Sequence, residues 1–137
     1  MICRLSLSAA FGLAAVALGG CGPHTDLAPI GSPNISGPSS FCRIVKEGPD
    51  KGKLIVTVTN KGAAAAPPTT TRVEFIPGGA FYLPTPAIAA RGSVELKAPI
   101  PSDCRKGGCY FLITVDSGNT IYDDDEGDNT VEGHCLG

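Results

Sequence analysis

The sequence predicts an all-β domain, because apolar residues alternate along short segments that are separated by turn-forming residues. Glycine occurs 18 times and proline 12 times in 137 residues, and tryptophan is absent. This composition favours short strands joined by many turns over a helical bundle. About seven short strands at close spacing indicate an immunoglobulin-like β-sandwich, and no helix is required outside a targeting segment.

The clearest strand is expected over residues 53–60, where Leu54, Val56 and Val58 share one face. An edge strand at 26–30 is compatible with the proline in that segment. Further strands are predicted at 41–46, 71–76, 81–83 and 93–98. Within them the residues expected to point inward are Val73, Phe75, Val94 and Leu96.

The last part of the chain predicts the remaining strands. Residues 109–116 are apolar on both faces, which is typical of a central strand covered on both sides. Ile121 and Val131 are assigned to a final strand or pair of strands.

The first twenty residues are organised as a cleaved targeting segment. Arg4 supplies a positive charge, and residues 5–18 are mainly apolar but too few to span a bilayer comfortably. Two glycines at 19–20 and then Cys21 follow directly. Small residues before a cysteine resemble the lipobox of bacterial lipoproteins, in which the cysteine thiol accepts a diacylglyceryl group. We predict a lipoprotein signal peptide at 1–20 and lipidation of Cys21; a plain secretory signal is the alternative.

The mature chain divides by composition into a lipidated tether at 21–40 and a domain at 41–137. Residues 22–40 contain three glycines, four prolines and four serines, which is typical of a semi-flexible spacer. The predicted location is lipid-anchored and extracytoplasmic. The residue after the cysteine is Gly22, and the lipoprotein sorting pattern that this resembles implies the outer membrane in a Gram-negative cell, at its periplasmic face or at the cell surface.

Four cysteines remain beyond the lipobox, and an even number in an oxidising compartment predicts two disulfides. Three pairings are open. We favour Cys104–Cys109, which closes a short loop between strands, and Cys42–Cys135, because the first and last strands of an immunoglobulin-like order are neighbours. The C-x4-C spacing matches neither a thioredoxin-type redox pair nor a zinc knuckle.

The segment 115–129 carries the most distinctive motif after the lipobox. Asp116 can cap backbone N–H groups, and Gly118 and Asn119 tolerate the positive φ of a tight turn. The segment resembles the closing hairpin of CARDB domains, the cell adhesion related domain found in bacteria. The family pattern is matched at Asp116, Asn119, Ile121, Glu126 and Asn129. Residues 58–64 and 90–93 are similar to the same family.

The resemblance to CARDB domains implies an immunoglobulin-like sandwich in a cell-surface protein, with a binding or adhesion role and no catalytic chemistry. CARDB domains do not generally need the four cysteines found here. We expect this difference to affect how the fold is stabilised rather than what the domain does.

Five acidic residues lie within the seven positions 123–129. Clustered carboxylate oxygens suit Ca²⁺, and Asp123, Asp125 and Asp128 would be the first ligands to test. The spacing does not match an EF-hand loop, however. We favour the alternative in which Asx side chains bind backbone amides and the other carboxylates face water, so no cofactor is required.

Charge and histidine content limit the function classes. Net charge is −2, and removal of Arg4 with the signal peptide makes it −3, so a nucleic-acid partner is not expected. Neither His24 nor His134 has an obvious nucleophile to activate, so the chain is not expected to be an enzyme.

We predict a membrane-anchored extracytoplasmic binding or adhesion module, whose partners are membrane lipid through Cys21 and an unknown protein or glycan. The alternatives are a structural subunit of an envelope assembly, which an exposed apolar edge at 81–83 would favour, and a Ca²⁺-stabilised surface domain. The Arg105-Lys106 loop is a candidate contact or a solvated hairpin tip.

Overall fold

The computed structural model describes residues 23–121 and 129–135, which form two antiparallel sheets stacked around one core. The first sheet has the strand order β1-β2-β5, and the second has the order β4-β3-β6-β7. The strands are β1 (Leu27–Ile30), β2 (Leu54–Asn60), β3 (Thr69–Ile76), β4 (Gly79–Thr85), β5 (Ser93–Ala98), β6 (Cys109–Thr114) and β7 (Thr130–Cys135). The predicted all-β sandwich is confirmed.

The core forms where the inward faces of the two sheets meet. Leu54, Val56 and Val58 of β2 are at most 1% exposed, as their shared face predicted. From the other sheet, Val73 and Phe75 of β3 contribute buried side chains, and the alternate residues of β3 are more exposed. Period-two alternation therefore places each strand's apolar set against the opposite sheet.

Strand β6 lies between β3 and β7 and is central in its sheet, but only one of its faces is covered. Phe111 and Ile113 are buried, whereas Tyr110 is 50% exposed. The prediction of a strand covered on both sides was wrong, because a two-layer sandwich buries only the inner face of each sheet.

The predicted strand at 41–46 was also wrong. A 3-10 helix covers Pro38–Phe41, and Ile44 forms an isolated bridge to Leu54. Backbone hydrogen bonds still hold this segment beside the first half of β2, while β1 pairs with the second half of the same strand from Thr57 to Asn60. Two segments share one edge of β2, so neither forms a long strand.

Two short helical turns occur where the sequence analysis required none. Besides the 3-10 helix, α1 covers Ser102–Arg105 and follows Pro101. Asp103 in its first turn and Arg105 in its last suit the helix dipole, and its one buried residue, Cys104, faces the core. Ile121 is not in a strand but in a bend after β6, so its assignment to a final strand was wrong.

The sandwich begins earlier than the predicted domain boundary at residue 41. Strand β1 is its edge strand, with Pro29 opposite Val58. Upstream, Thr25 is only 8% exposed, and the carbonyl oxygen of His24 accepts a hydrogen bond from the Ala64 amide at 3.2 Å. Much of the predicted tether at 21–40 therefore belongs to the folded domain. Over the ranges described, no helix reaches the length and hydrophobicity of a membrane span.

Two disulfides close one end of the sandwich. Cys42 is bonded to Cys135 and Cys104 to Cys109, the pairs favoured from the sequence, with Cα–Cα distances of 5.3 and 4.9 Å. Cys109 and Cys135 are also register partners in β6 and β7, so the bonds are neighbours. We call this the disulfide end. At the opposite end β2 and β6 stop and β1 and β3 start, and we call it the Asp116 end.

Candidate functional site: the cleft beside the Asp116 turn

A tight turn follows β6 at the Asp116 end. Asp116 and Asn119 have φ of 45° and 51°, and the Asn119 amide donates to the Asp116 carbonyl at 2.8 Å. The Asp116 carboxylate is 6% exposed. Its Oδ1 accepts hydrogen bonds from the amide and hydroxyl of Thr120 at 3.0 and 2.8 Å, and its Oδ2 accepts from the Ile121 amide at 2.9 Å. The carboxylate thus caps its own turn.

The turn is fastened to neighbouring strands on both sides. The Ser117 amide donates to the Thr70 carbonyl at 2.9 Å, which joins the turn to the start of β3. The carbonyl of Asn129, a residue only 9% exposed, accepts a hydrogen bond from the Val115 amide at 2.9 Å. The turn is therefore held rigidly at the end of the four-stranded sheet.

Beside this turn lies a cleft of about 470 Å³. Five of its eight lining residues carry a hydroxyl group, and the lining also includes one proline. The lining residues are Pro68, Thr69, Thr70, Tyr82, Asp116, Ser117, Gly118 and Thr120. Its volume falls within the range of small-molecule sites.

Tyr82 forms the aromatic side of the cleft and is 64% exposed. It lies opposite Arg72 in the β3–β4 register, so the phenol and the guanidinium are neighbours on the outer face of the sheet. The polar Tyr82 side chain and the Glu74 carboxylate together raise the pKa of Arg72 above its ordinary value. The Arg72 guanidinium also contacts Glu74 at 2.6 Å, so the positive charge beside the cleft is neutralised.

The segment 81–83 is not a continuous apolar edge. Phe81 and Leu83 are half-buried and pack against the core, and the Phe81 ring contacts Phe75 with a centroid distance of 5.9 Å. Of these three residues only Tyr82 faces solvent. The feature that would have favoured an assembly subunit is not present.

A second, smaller cavity of about 250 Å³ lies at the disulfide end. Both disulfides contribute to its wall, and the Arg105 guanidinium donates to the Gly52 carbonyl at 3.0 Å. Arg105 thus fastens α1 to the turn before β2, while Lys106 is exposed. Of the two residues in this candidate contact, Arg105 has a structural role, and Lys106 is exposed to solvent.

The remaining candidate residues lie outside the described ranges: Cys21 precedes them, and Asp123, Asp125 and Asp128 fall between Ile121 and Asn129. Within the described ranges no group of three or more His, Cys, Asp or Glu side chains could hold a metal. Asp116, beside the acidic run, accepts three hydrogen bonds, which occupy most of the about four lone-pair positions of its carboxylate.

Comparison with known proteins identifies the family. The sequence model of CARDB matches residues 45–133. The chain belongs to the CARDB family. This family is a cell-adhesion-related domain, and the match includes the cleft, the turn and most of the sandwich. No curated protein matches the chain.

Solved CARDB-like structures share the fold. A domain of a protein assigned to the cell surface of Methanosarcina acetivorans superposes with a TM-score of 0.61 at 15% identity, over 82% of this chain and 91% of that one. The CARDB domain of a Pyrococcus furiosus protein, crystallised in complex with di-metal ions, superposes with a TM-score of 0.53 at 19% identity, over 83% and 87%. Its solution structure gives 0.53 at 20% identity, over 83% and 94%.

Two features of this CARDB domain escaped sequence reasoning. Alternation placed Arg72 and Glu74 on the outer face, but their position beside Tyr82 depends on the β3–β4 register. Asn60 signalled only the end of a strand, whereas the structure buries it completely within a hydrogen-bond network. No local pattern distinguishes such a buried Asn from a solvated turn residue.

Proposed function

We propose that this CARDB domain is a lipid-anchored, extracytoplasmic binding module of the adhesion type that has no catalytic activity. Membership of a cell-adhesion-related family supports the binding role. The anchoring role depends on one observation, the run of apolar residues that ends in Gly19-Gly20-Cys21. Two or more acyl chains on that cysteine would make attachment effectively permanent.

The short linker supports a definite orientation. Only Gly22 and Pro23 separate Cys21 from His24, whose carbonyl is already bonded to the sandwich. At about 3.5 Å per extended residue, the anchor lies within about 10 Å of His24. The Asp116 end therefore faces the lipid surface, and the disulfide end points away from it.

The absence of catalysis is supported by how reactive groups are used. The four cysteines of the domain are in disulfides, so they present no thiol nucleophile. The His134 ring stacks on Tyr110 at a centroid distance of 4.3 Å with an interplanar angle of 6°. Such a stacked imidazole serves packing rather than the activation of a hydroxyl.

Metabolic labelling with a palmitate analogue tests the anchor. We expect the wild-type chain to be labelled, the Cys21→Ser variant to lose the label, and the Cys3→Ser variant, altered only within the signal peptide, to keep it. An unlabelled wild type, or a label that persists in Cys21→Ser, would contradict the proposal.

A stabilising Ca²⁺ site is a second candidate, favoured by the di-metal complex of the Pyrococcus furiosus CARDB domain. The carboxylates of Asp123, Asp125 and Asp128 would supply oxygen ligands. If they do, Ca²⁺ at a hundred times its Kd stabilises the fold by about 2.7 kcal/mol.

Thermal unfolding of the chain in detergent, with and without millimolar Ca²⁺, measures this effect. The midpoint should rise for the wild type and for the control Asp103→Asn, which lies in the distant α1. It should not rise when Asp123, Asp125 and Asp128 are all changed to Asn. An unchanged wild-type midpoint would eliminate the site.

A further inference from the structure

We propose that the cleft beside the Asp116 turn binds an uncharged glycan unit, with the Tyr82 ring as its stacking surface. This inference rests on the proposed binding function and specifies the ligand class of that function. The evidence is the chemistry of the cleft wall, the charge balance of the described residues and the exposure of the one aromatic ring in the wall.

The wall of the cleft suits a ligand rich in hydroxyl groups. The Thr120 hydroxyl donates to Asp116 Oδ1 at 2.8 Å, and the Ser117 hydroxyl donates to the Thr70 carbonyl at 3.3 Å. Because these protons point into the protein, the oxygen lone pairs remain as acceptors at the cleft surface. A ligand that donates several hydrogen bonds from hydroxyl groups matches this arrangement.

The charge balance favours an uncharged ligand. Among the described lining residues, Asp116 is the one ionisable acid, and both of its carboxylate oxygens are bonded within the turn. Arg72, which lies opposite Tyr82 in the β3–β4 register, is ion-paired with Glu74 at 2.6 Å. A phosphate or a free carboxylate would therefore lack an unpaired cation, whereas hydroxyl groups can hydrogen-bond to both members of the pair.

The Tyr82 ring supplies the aromatic surface of the cleft. It is 64% exposed, lines the cleft and lies opposite Arg72 in the β3–β4 register. The C–H face of a sugar ring is apolar and packs on an aromatic ring, while its hydroxyls bond to polar neighbours.

Tyr110 provides a matched comparison on the outer face of the same sheet. It is 50% exposed, close to the exposure of Tyr82, but one side of its ring is covered by His134 at 4.3 Å. It lies near the disulfide end, opposite His134 in the β6–β7 register, and does not line the cleft. Exposure alone therefore does not define the site.

A glycan with this chemistry could come from two sources, and the cleft would recognise both through the same contacts. It is either a free saccharide or the saccharide headgroup of a membrane lipid, and the second fits an anchor that turns the Asp116 end toward the bilayer. Ligand-observed NMR of the full chain in detergent with cellotriose, chitotriose and mannotriose tests the free source. Co-sedimentation with phosphatidylcholine vesicles, with and without a galactosyl diacylglycerol, tests the lipid source.

We expect binding in at least one arm, and a loss of affinity of at least about tenfold in Tyr82→Ala. Tyr110→Ala should bind within about twofold of the wild type. Tyr82→Phe keeps the ring and should retain most of the affinity, which separates stacking from a folding defect. Circular dichroism of each variant verifies the fold.

Absence of binding in both arms overturns the inference, as does an equal loss in Tyr82→Ala and Tyr110→Ala. Preference for inorganic phosphate over every neutral saccharide also overturns it. Because the saccharide arm needs no acyl group, its outcome is independent of the palmitate labelling that tests the anchor. Failure of the glycan site would leave the lipid anchor intact, and failure of the anchor would leave the site intact.

Discussion

Asn60 shows how one polar side chain can organise an end of the sandwich. It is 0% exposed at the end of β2. Its Oδ1 accepts from the amides of Asp26 and Gly62 at 3.1 and 3.0 Å, and its Nδ2 donates to the carbonyls of Ala64 and Ile88 at 2.7 and 3.3 Å. Three separate chain segments thus have their backbone groups satisfied by one amide, as burial requires.

Replacement of Asn60 by Ala should be among the most destabilising single changes in the domain. Several buried backbone groups would lose their partners, at about 1–3 kcal/mol each, so we expect a total loss of about 3–5 kcal/mol. Chemical denaturation measures it. The exposed Asn34→Ala should change stability by less than about 0.5 kcal/mol; similar values for the two variants would refute the role of Asn60.

The turn after β6 requires both carboxylate oxygens of Asp116, because each accepts hydrogen bonds from Thr120 or Ile121. Asn is isosteric, but an amide NH₂ would face the donor of Thr120 or Ile121, each of which now bonds to a carboxylate oxygen. We expect Asp116→Asn to lower the free energy of unfolding by about 1–3 kcal/mol. The comparison is the exposed Asp103→Asn, for which denaturant melts should show a much smaller loss.

At the scale of the elements, β6 and β7 fit together through a glycine. Gly133 lies opposite Phe111, and a Cβ on Gly133 would overlap the Phe111 ring, which is 0% exposed. Because the ring is enclosed by the core, it has no space into which to move. The pairing of the two strands therefore requires a residue without a side chain at this position.

Gly133→Ala should cost about 1–3 kcal/mol or more through overpacking. Gly107→Ala is the control, since a Cβ at Gly107 meets nothing within 4 Å. A fall in the thermal midpoint confined to Gly133→Ala would support tight packing between β6 and β7; equal midpoints would mean that the Phe111 ring can shift.

The pairing available along the edges of β2 limits the length of the neighbouring strands. One edge of β2 pairs with β5 over most of its length, and the other is divided between β1 and the segment around Ile44. The division explains why the apolar pattern at 41–46 did not become a strand. Edge competition of this kind depends on distant partners and is not visible in a local pattern.

At the scale of the whole molecule, the two ends of the sandwich differ in structure. The disulfide end is closed covalently, whereas the Asp116 end holds the cleft and the first residues that the structure describes. The separation of cross-links from cleft allows the chain to be stabilised without covalent bonds beside the proposed site.

The two disulfides should contribute unequally. Cys42 and Cys135 are 93 positions apart, and Cys104 and Cys109 only 5. By the loop-entropy relation, the paired change to Ser should cost about 4–5 kcal/mol for the long link and about 2 kcal/mol for the short one. Calorimetry of the two double variants measures this order, and a larger loss for the short link would contradict it.

The sequence by itself determined the alternating strands, the even number of cysteines in the domain and the family motif around Asp116, whereas the structure decided among the three possible cysteine pairings. The features determined by the sequence depend on local spacing or on counting, and local chemistry is sufficient for both. The edge strand predicted at 26–30 is confirmed by β1, but only the tertiary structure decided that Asn60 is buried, that Tyr82 lies beside Arg72 and that His24 and Thr25 also join the sandwich. Each of those facts is a pairing between distant segments, and register and burial are set by the whole fold rather than by neighbours along the chain.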